Sequence, residues 1–172
     1  AGDFSGDYAF TFRNNEIENC GGGLNERFFA EYTCTVNRVV EVSNNTISVT
    51  DSGAGISLFT SPDTSLALRV DVLVSGNDIQ GGYRGINISF SLDYTGTVTD
   101  RDVRLLDNNI SDVEAGSGIY MYTSAYYSSR VGDHDILIDG NTVQDCGDAG
   151  IVLSNAVYSS ATSSFDFTVT KN

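Results

Sequence analysis

The amino-acid sequence predicts an all-β fold, a right-handed parallel β-helix (β-solenoid) of about five coils with a repeat of roughly 31 residues. Short runs that alternate apolar and polar residues recur along the chain and are rich in Val, Ile, Thr, Phe and Tyr, which is typical of β-strands. Each run ends at an Asn, at nearly constant spacing. No stretch keeps the 3.6-residue apolar period of a helix over several turns. We therefore expect residues 1–172 to form a single parallel β-helix domain.

An Asn closes each alternating run and anchors the repeat. The anchors are Asn15, Asn45, Asn77, Asn108, Asn141 and Asn172, with spacings of 30, 32, 31, 33 and 31 residues. One repeat cannot bury its own apolar face, so successive coils should stack about 4.8 Å apart with equivalent residues in register. The anchor amides would then bond one another in a ladder and satisfy the turn backbone.

Apolar residues occupy fixed positions relative to the anchors. Three columns are apolar throughout: Phe10, Val40, Val72, Val103, Ile136 and Phe167 at five before; Phe12, Val42, Val74, Leu105, Ile138 and Val169 at three before; Ile17, Ile47, Ile79, Ile110 and Val143 at two after. The residues between them are polar or mixed, so one face of each strand is buried. A Gly-Ile pair then begins another strand, as at Gly55-Ile56 and Gly85-Ile86.

The V-x-V-x-x-N-x-I and G-I-x-L patterns cover essentially the whole chain, and in them the sequence resembles the right-handed parallel β-helix, or pectin-lyase-like, repeat superfamily. The resemblance implies the architecture and leaves the activity open, because the superfamily includes polysaccharide lyases, galacturonases, uronate epimerases, phage tailspikes and bacterial surface adhesins. The galacturonase motifs N-T-D, D-D, G-H-G and R-I-K do not occur in the sequence, nor does the D-P-H-E of alginate epimerases.

Acidic residues form two columns that the alternation places on one outward face. The first column contains Asp71, Asp102, Asp135 and Asp166, and the second contains Asp100 and Asp133. Like charges at this spacing repel, so they need compensation. One alternative is an exposed network of Asp and Arg side chains that includes Arg69. The other is a Ca²⁺ site, for which the candidate ligands are Asp71, Asp100, Asp102, Asp133 and Asp135.

Arg101 and His134 lie between these acidic columns on adjacent coils. His134 is the only His of the chain, and an unperturbed imidazole titrates near neutral pH. An enzyme hypothesis makes His134 the general base and has Arg101 bind a uronate carboxylate. The alternation points both side chains inward or toward a corner, which favours a structural role.

Tyrosines and cysteines supply further candidates. The tyrosines Tyr94, Tyr120, Tyr122, Tyr126 and Tyr127 could stack on glycan rings, form a protein interface, or simply stack between coils. Cys20 and Cys34 are close enough in sequence to form a disulfide, which would leave Cys146 unpaired.

Composition limits the classes of partner. A net charge of −14 argues against binding to nucleic acid. No run of 18 apolar residues occurs, so we expect no membrane insertion. The chain starts at Ala1 without Met, which fits a mature secreted protein or a fragment. We expect an extracellular or cell-surface location.

The leading functional hypothesis is a secreted or cell-surface structural solenoid that acts in assembly or adhesion. Neither end carries an obvious cap, so we expect self-association through the ends, with residues 166–172 beginning a coil that residues 1–9 of a second copy could finish. The chain could also be part of a longer solenoid. The incomplete catalytic set favours a non-enzyme. The alternatives are a lyase or epimerase that acts on acidic polysaccharide, and a non-catalytic glycan-binding module.

Overall fold

The computed structural model describes residues 4–30, 34–62, 67–93, 97–127, 129–161 and 164–172. Within these ranges it contains sixteen strands and no helix, so none that could cross a membrane. The strands follow one another in groups of three, one group per coil. They are β1 (Phe4–Arg13), β2 (Glu16–Cys20) and β3 (Leu24–Ala30); β4 (Cys34–Ser43), β5 (Thr46–Val49) and β6 (Ala54–Pro62); β7 (Ala67–Ser75), β8 (Asp78–Gly81) and β9 (Arg84–Leu92); β10 (Thr97–Leu106), β11 (Asn109–Ser111) and β12 (Ile119–Ala125); β13 (Arg130–Asp139), β14 (Thr142–Val143) and β15 (Ile151–Val157); and β16 (Asp166–Thr170).

Three parallel sheets run along the solenoid. The first has the order β1-β4-β7-β10-β13-β16, the second β2-β5-β8-β11-β14 and the third β3-β6-β9-β12-β15. Each strand therefore pairs with its counterpart one coil away, and the chain winds as a parallel β-helix. The predicted fold class is confirmed: the described residues form five coils and the first strand of a sixth.

The register of the first sheet is the one that the Asn spacing predicts. Val72 is the Cα partner of Val40 and of Val103, and Val103 is in turn the partner of Ile136. These four side chains are 0–3% exposed. Because side chains on a strand alternate between its two faces, the residues between them point outward. The apolar columns thus form a continuous core along the axis.

A sharp turn joins the first sheet to the second in every coil. The residue before each anchor has a positive φ of 52–68°, and these residues are Asn14, Asn44, Gly76, Asp107, Gly140 and Lys171. Asn, Asp and Gly tolerate this left-handed conformation better than other residues. The recurring Asn-Asn, Gly-Asn and Asp-Asn pairs of the sequence are therefore explained by the turn.

The Gly of the Gly-Ile pairs makes room for the next coil. A Cβ on Gly55 would lie 2.3 Å from Cγ2 of Ile79, and one on Gly85 would lie 2.4 Å from Cγ2 of Ile110. Ile79 and Ile110 belong to the apolar column that follows the anchors. The Gly of the Gly-Ile pairs and the Ile that follows the anchor Asn therefore pack against each other on adjacent coils.

The expectation that residues 1–9 could end a coil is wrong for residues 4–9. These residues form the first part of β1 and pair with β4 from Phe4–Cys34 to Ala9–Val39. The alternation that buries the core simply extends further toward the N-terminus than the Gly- and Asp-containing segment suggests. Residues 1–3 lie outside the described ranges.

Candidate functional site

The anchor Asn residues are joined by hydrogen bonds along the solenoid. The backbone N–H and the Nδ2 of Asn77 both donate to Oδ1 of Asn108, at 3.1 and 2.9 Å. The same two bonds join every consecutive pair from Asn15 to Asn172. Nδ2 of Asn77 also donates to the backbone oxygen of Val42, at 3.1 Å. The inner anchors are 1–2% exposed, so this arrangement satisfies polar groups that water cannot reach.

The two acidic columns lie on the outer face of the first sheet. Asp102 is the Cα partner of Asp71 on one side and of Asp135 on the other. Asp100 is likewise the partner of Arg69 and of Asp133. Asp166 extends the first column on β16, as the partner of Asp135.

Arginines compensate part of this charge. Nε of Arg104 donates to Oδ1 of Asp102 at 3.0 Å, and its Nη2 donates to Oδ2. Nε of Arg69 lies 3.4 Å from Oδ2 of Asp71 and 3.8 Å from Oδ2 of Asp100. Sequence reasoning missed Arg104, although a spacing of two residues on a strand places it on the same face as Asp102.

The described residues contain no group of three or more His, Cys, Asp or Glu side chains that could hold a metal ion. Asp133 and Asp135 are exposed and remain candidate Ca²⁺ ligands. The geometry at the other candidate ligands is that of an Asp–Arg network, while Ca²⁺ binding stays a prediction.

One column of residues inside the solenoid contains charged and polar side chains. The Cα register links Arg38, Val70, Arg101 and His134 from one coil to the next. Arg38 and Arg101 are each 1% exposed, and His134 is 2% exposed. Neither candidate catalytic residue is therefore accessible to a polysaccharide on the surface, and the arrangement does not support a general base at His134.

A carboxylate compensates Arg38. Nη2 of Arg38 donates to Oε2 of Glu26, which belongs to β3 of the preceding coil, and Nη1 donates to Oγ1 of Thr60 at 2.7 Å. The guanidinium carbon lies 5.4 Å from the ring centroid of Phe28. Burial lowers the pKa of Arg38, and Glu26 opposes this effect. Sequence reasoning missed the pair, whose only signal is an acid at an inward position of β3.

Arg101 occupies the same position two coils later and has no carboxylate partner among the described residues. Nη1 donates to Oγ1 of Thr123 at 2.9 Å, and the guanidinium carbon lies 4.2 Å from the ring centroid of Phe90. The β-strand register places Ile88 where the earlier coil has Glu26. Among the described residues, no carboxylate forms an ion pair with Arg101, and burial lowers its pKa to about 9.

His134 lies beside Arg101 in the next coil. Its ring centroid is 4.7 Å from that of Phe165, and the planes are tilted by 49°. Neither ring nitrogen has a hydrogen-bond partner among the described residues. Burial and the charge of Arg101 lower the pKa of His134 to about 3, so its imidazole is neutral at physiological pH.

The candidate tyrosines fall into separate environments. The rings of Tyr126 and Tyr158 stack at 4.6 Å with planes 6° apart, which is stacking between adjacent coils. Tyr127 is 57% exposed. Tyr120 and Tyr122 are half-buried on the outer face of β12. Tyr94 lies outside the described residues.

A cleft of about 270 Å³ lies on the outer face of the third sheet. Its lining includes Asn25, Ser57, Tyr83, Arg84 and Asn87, together with glycines of the turns between the second and third strands of the coils. The guanidinium carbon of Arg84 lies 3.8 Å from the ring centroid of Tyr120 and 5.3 Å from that of Tyr83. Its Nη1 donates to Oδ1 of Asn87 at 3.3 Å. The lining of the cleft thus combines the Arg84 cation, side-chain amides and one aromatic ring, that of Tyr83.

Cys20 and Cys146 are free thiols. Sγ of Cys20 donates to the backbone oxygen of Glu18 at 3.2 Å. The predicted disulfide between Cys20 and Cys34 is therefore not formed in this structure, because Cys20 is unpaired; the side chain of Cys34 lies outside the described residues.

The last strand exposes residues of the core columns. Phe167 and Val169 of β16 are 42 and 45% exposed, whereas their partners Ile136 and Ile138 in β13 are 3 and 0% exposed. At the opposite end, Phe10 and Phe12 of β1 are half-buried. Both edges of the first sheet therefore present apolar side chains beside strand backbone that has one neighbour within the described residues.

Comparison with protein-family models, curated proteins and solved structures finds no match for the chain.

Proposed function

We propose that the protein is a structural β-solenoid, secreted or at the cell surface, that assembles head to tail through the two edges of its first sheet and serves in assembly or adhesion. The observation that carries this proposal is the exposure of Phe167 and Val169, 42 and 45%, at positions that are buried in every inner coil. An uncovered strand edge of this kind is a template for a further strand.

The repeat itself supplies the register of the junction. If Asn172 is followed one coil later by Asn15 of a second copy, Val169 meets Phe12 and Phe167 meets Phe10, as in the inner coils. Asp166 meets Ala9, so the acidic column is not extended across the junction.

The Asn hydrogen bonds favour the same direction of stacking. Oδ1 of Asn172 accepts two bonds from Asn141, and its Nδ2 donates to the backbone oxygens of Ile138 and Thr170. At the other end, Asn15 donates to Asn45 through its backbone N–H and Nδ2. Its Oδ1 accepts no bond from the described residues. A preceding Asn172 would supply the donors, as each inner Asn does for the next.

The junction is continuous in one sheet. The second and third sheets end at β14 and β15, one strand before β16. We therefore expect a contact weaker than that between inner coils, and an assembly that depends on protein concentration. Because the two surfaces differ, the contact is heterologous and does not close, which gives a filament.

Sedimentation velocity of the 172-residue chain at several concentrations tests the proposal. The wild-type protein should grow in mass as concentration rises. Val169→Lys, which places a charge in the junction, should remain a monomer. Thr168→Lys, which changes the outward side chain next to it, should still assemble. A wild-type mass that stays monomeric at every concentration contradicts the proposal, and assembly that survives Val169→Lys places the junction elsewhere.

The cleft around Arg84 favours a second candidate, a glycan-binding module for acidic sugars. The guanidinium of Arg84 could bind a carboxylate, while Tyr83 offers a ring for stacking and Asn87 an amide. This candidate agrees with the resemblance to the pectin-lyase-like superfamily. A lyase or epimerase activity has less support, because His134 and Arg101 are buried.

Binding of uronate oligosaccharides, measured by calorimetry, tests this second candidate. Wild-type protein should bind uronate oligomers and not neutral oligomers of the same length, and Arg84→Met should abolish binding. Arg69→Met, which removes an exposed arginine from another sheet, is the matched control. Equal binding by Arg84→Met and wild type would place the glycan elsewhere.

A further inference from the structure

We propose that the interior of the solenoid binds a small monovalent anion of the chloride class between Arg101 of β10 and His134 of β13. The two residues are Cα partners on adjacent strands. Both side chains are nearly fully buried, at 1 and 2% exposure. The proposal concerns the core and is independent of assembly through the ends.

Unsatisfied polar atoms concentrate at this pair. Among the described residues, six buried side-chain nitrogen or oxygen atoms have no hydrogen-bond partner. Four of the six are Nε and Nη2 of Arg101 and Nδ1 and Nε2 of His134. Buried polar groups in folded proteins are nearly always bonded, so four such atoms on two neighbouring side chains indicate a bound species.

The charge of Arg101 decides which species fits. The rings of Phe90 and Phe165 lie 4.2 and 5.7 Å from the guanidinium carbon and stabilise its charge, but they offer no acceptor in the plane of the N–H groups. A water molecule would accept hydrogen bonds without neutralising the cation. A halide does both, because it is an acceptor and carries the opposite charge.

A carboxylate compensates the positive charge of Arg38, which holds the position equivalent to Arg101 in an earlier coil. Arg38 has the same strand position and an equivalent Thr partner, and the carboxylate of Glu26 contacts its guanidinium. In the coil before Arg101 that place is held by Ile88. A bound anion would do for Arg101 what Glu26 does for Arg38.

Neighbouring groups can complete the site. His134 is neutral, so one of its ring nitrogens carries an N–H group that can donate a hydrogen bond to the anion. The Thr123 hydroxyl accepts a bond from Arg101 and keeps its own hydrogen for donation. Phe165 covers His134 on the side of β16. The enclosure favours a monatomic anion over a larger carboxylate or sulfate.

Thermal unfolding in different sodium salts tests the proposal. At equal ionic strength, chloride and bromide should raise the Tm of the wild-type protein above its value in gluconate, which is too large for the core. We expect a shift of roughly 3–6 °C at a halide concentration of about ten times Kd. Arg101→Met should abolish the difference between halide and gluconate, whereas Arg104→Met, which removes an exposed arginine from the same strand, should retain it.

Crystals grown in bromide test the site without a variant. The anomalous difference map should show a peak within hydrogen-bonding distance of Arg101 and His134. Equal Tm values in halide and gluconate, or a map without a peak at this pair, would overturn the proposal and leave water as the partner of these nitrogens.

Discussion

The inner coils and the last strand are built from the same sequence pattern and differ in what covers them. Val74 of β7 and Val169 of β16 occupy the same column, yet Val74 is 0% exposed and Val169 is 45% exposed. The inner residue has a strand on each side, and the outer one has a strand on one side within the described residues. The apolar columns therefore continue into a strand that this structure leaves uncovered, and the proposal of head-to-tail assembly rests on this difference.

Lysine substitution should separate the two regions most strongly. Val74→Lys puts an unpaired charge into the core, and we expect a loss of more than about 4 kcal/mol in the free energy of unfolding. Val169→Lys should cost less than about 1 kcal/mol in the monomer, because its ammonium reaches water. Urea unfolding at a concentration where the protein is monomeric measures both. Equal losses would show that the last strand is as buried as the inner ones.

His134 lies on β13, which pairs with the last strand, and its burial should make the stability of the protein depend on pH. Its pKa is about 3 in the folded protein, against an ordinary value of 6.5. The unfolded chain therefore binds more protons between these values, so stability is complete above about pH 6.5 and falls as pH drops toward 3, by about 1.4 kcal/mol per pH unit. Arg101 is the charged neighbour that opposes protonation, while Asp133 and Asp135 point outward.

Acid unfolding of wild type and His134→Leu in gluconate, without halide, measures this contribution, because the carboxylates contribute equally to both. The difference in stability between the two proteins should change across pH 3–6.5. A constant difference would show that His134 is reached by water.

Replacement of an anchor Asn should also destabilise an inner coil more than the last strand, by a smaller amount than the lysine substitutions. Asn77→Leu should destabilise the protein by about 1–3 kcal/mol, because it leaves buried partners on both neighbouring coils unsatisfied. Asn172→Leu should cost less than about 1 kcal/mol, since Asn172 is exposed and serves one neighbour. Thermal melts of both variants check this order, and a Tm of Asn77→Leu equal to that of wild type would contradict the role of the Asn hydrogen bonds.

The smallest expected effect concerns Ca²⁺ on the acidic columns. Millimolar Ca²⁺ should raise the Tm by mass action if the outward carboxylates bind it, and replacement of Asp102 and Asp135 by Asn should remove the rise. Arg104 already bonds Asp102, so we expect an effect of about 1 kcal/mol or less. Equal Tm values in Ca²⁺ and Na⁺ at matched ionic strength would reduce the effect to screening.

The repeat made much of the fold predictable. Asn spacing and strand alternation are enough to place Asp71 beside Asp102 and Arg101 beside His134, because stacked coils keep equivalent residues together. The Arg38–Glu26 pair could not be placed in the same way. Its members lie on different sheets of different coils, so their contact depends on how each coil closes. Glu26 also breaks the rule that inward positions are apolar.

The axial repeat of the assembled protein tests head-to-tail stacking most directly. Each copy contributes six strands to the first sheet, so filaments joined through β16 and β1 should repeat every 29 Å or so, at about 4.8 Å per strand. Electron cryo-microscopy or fibre diffraction of concentrated protein would measure this spacing. We predict the six-strand repeat. A five-strand repeat of about 24 Å, or single particles one copy long at every concentration, would contradict it.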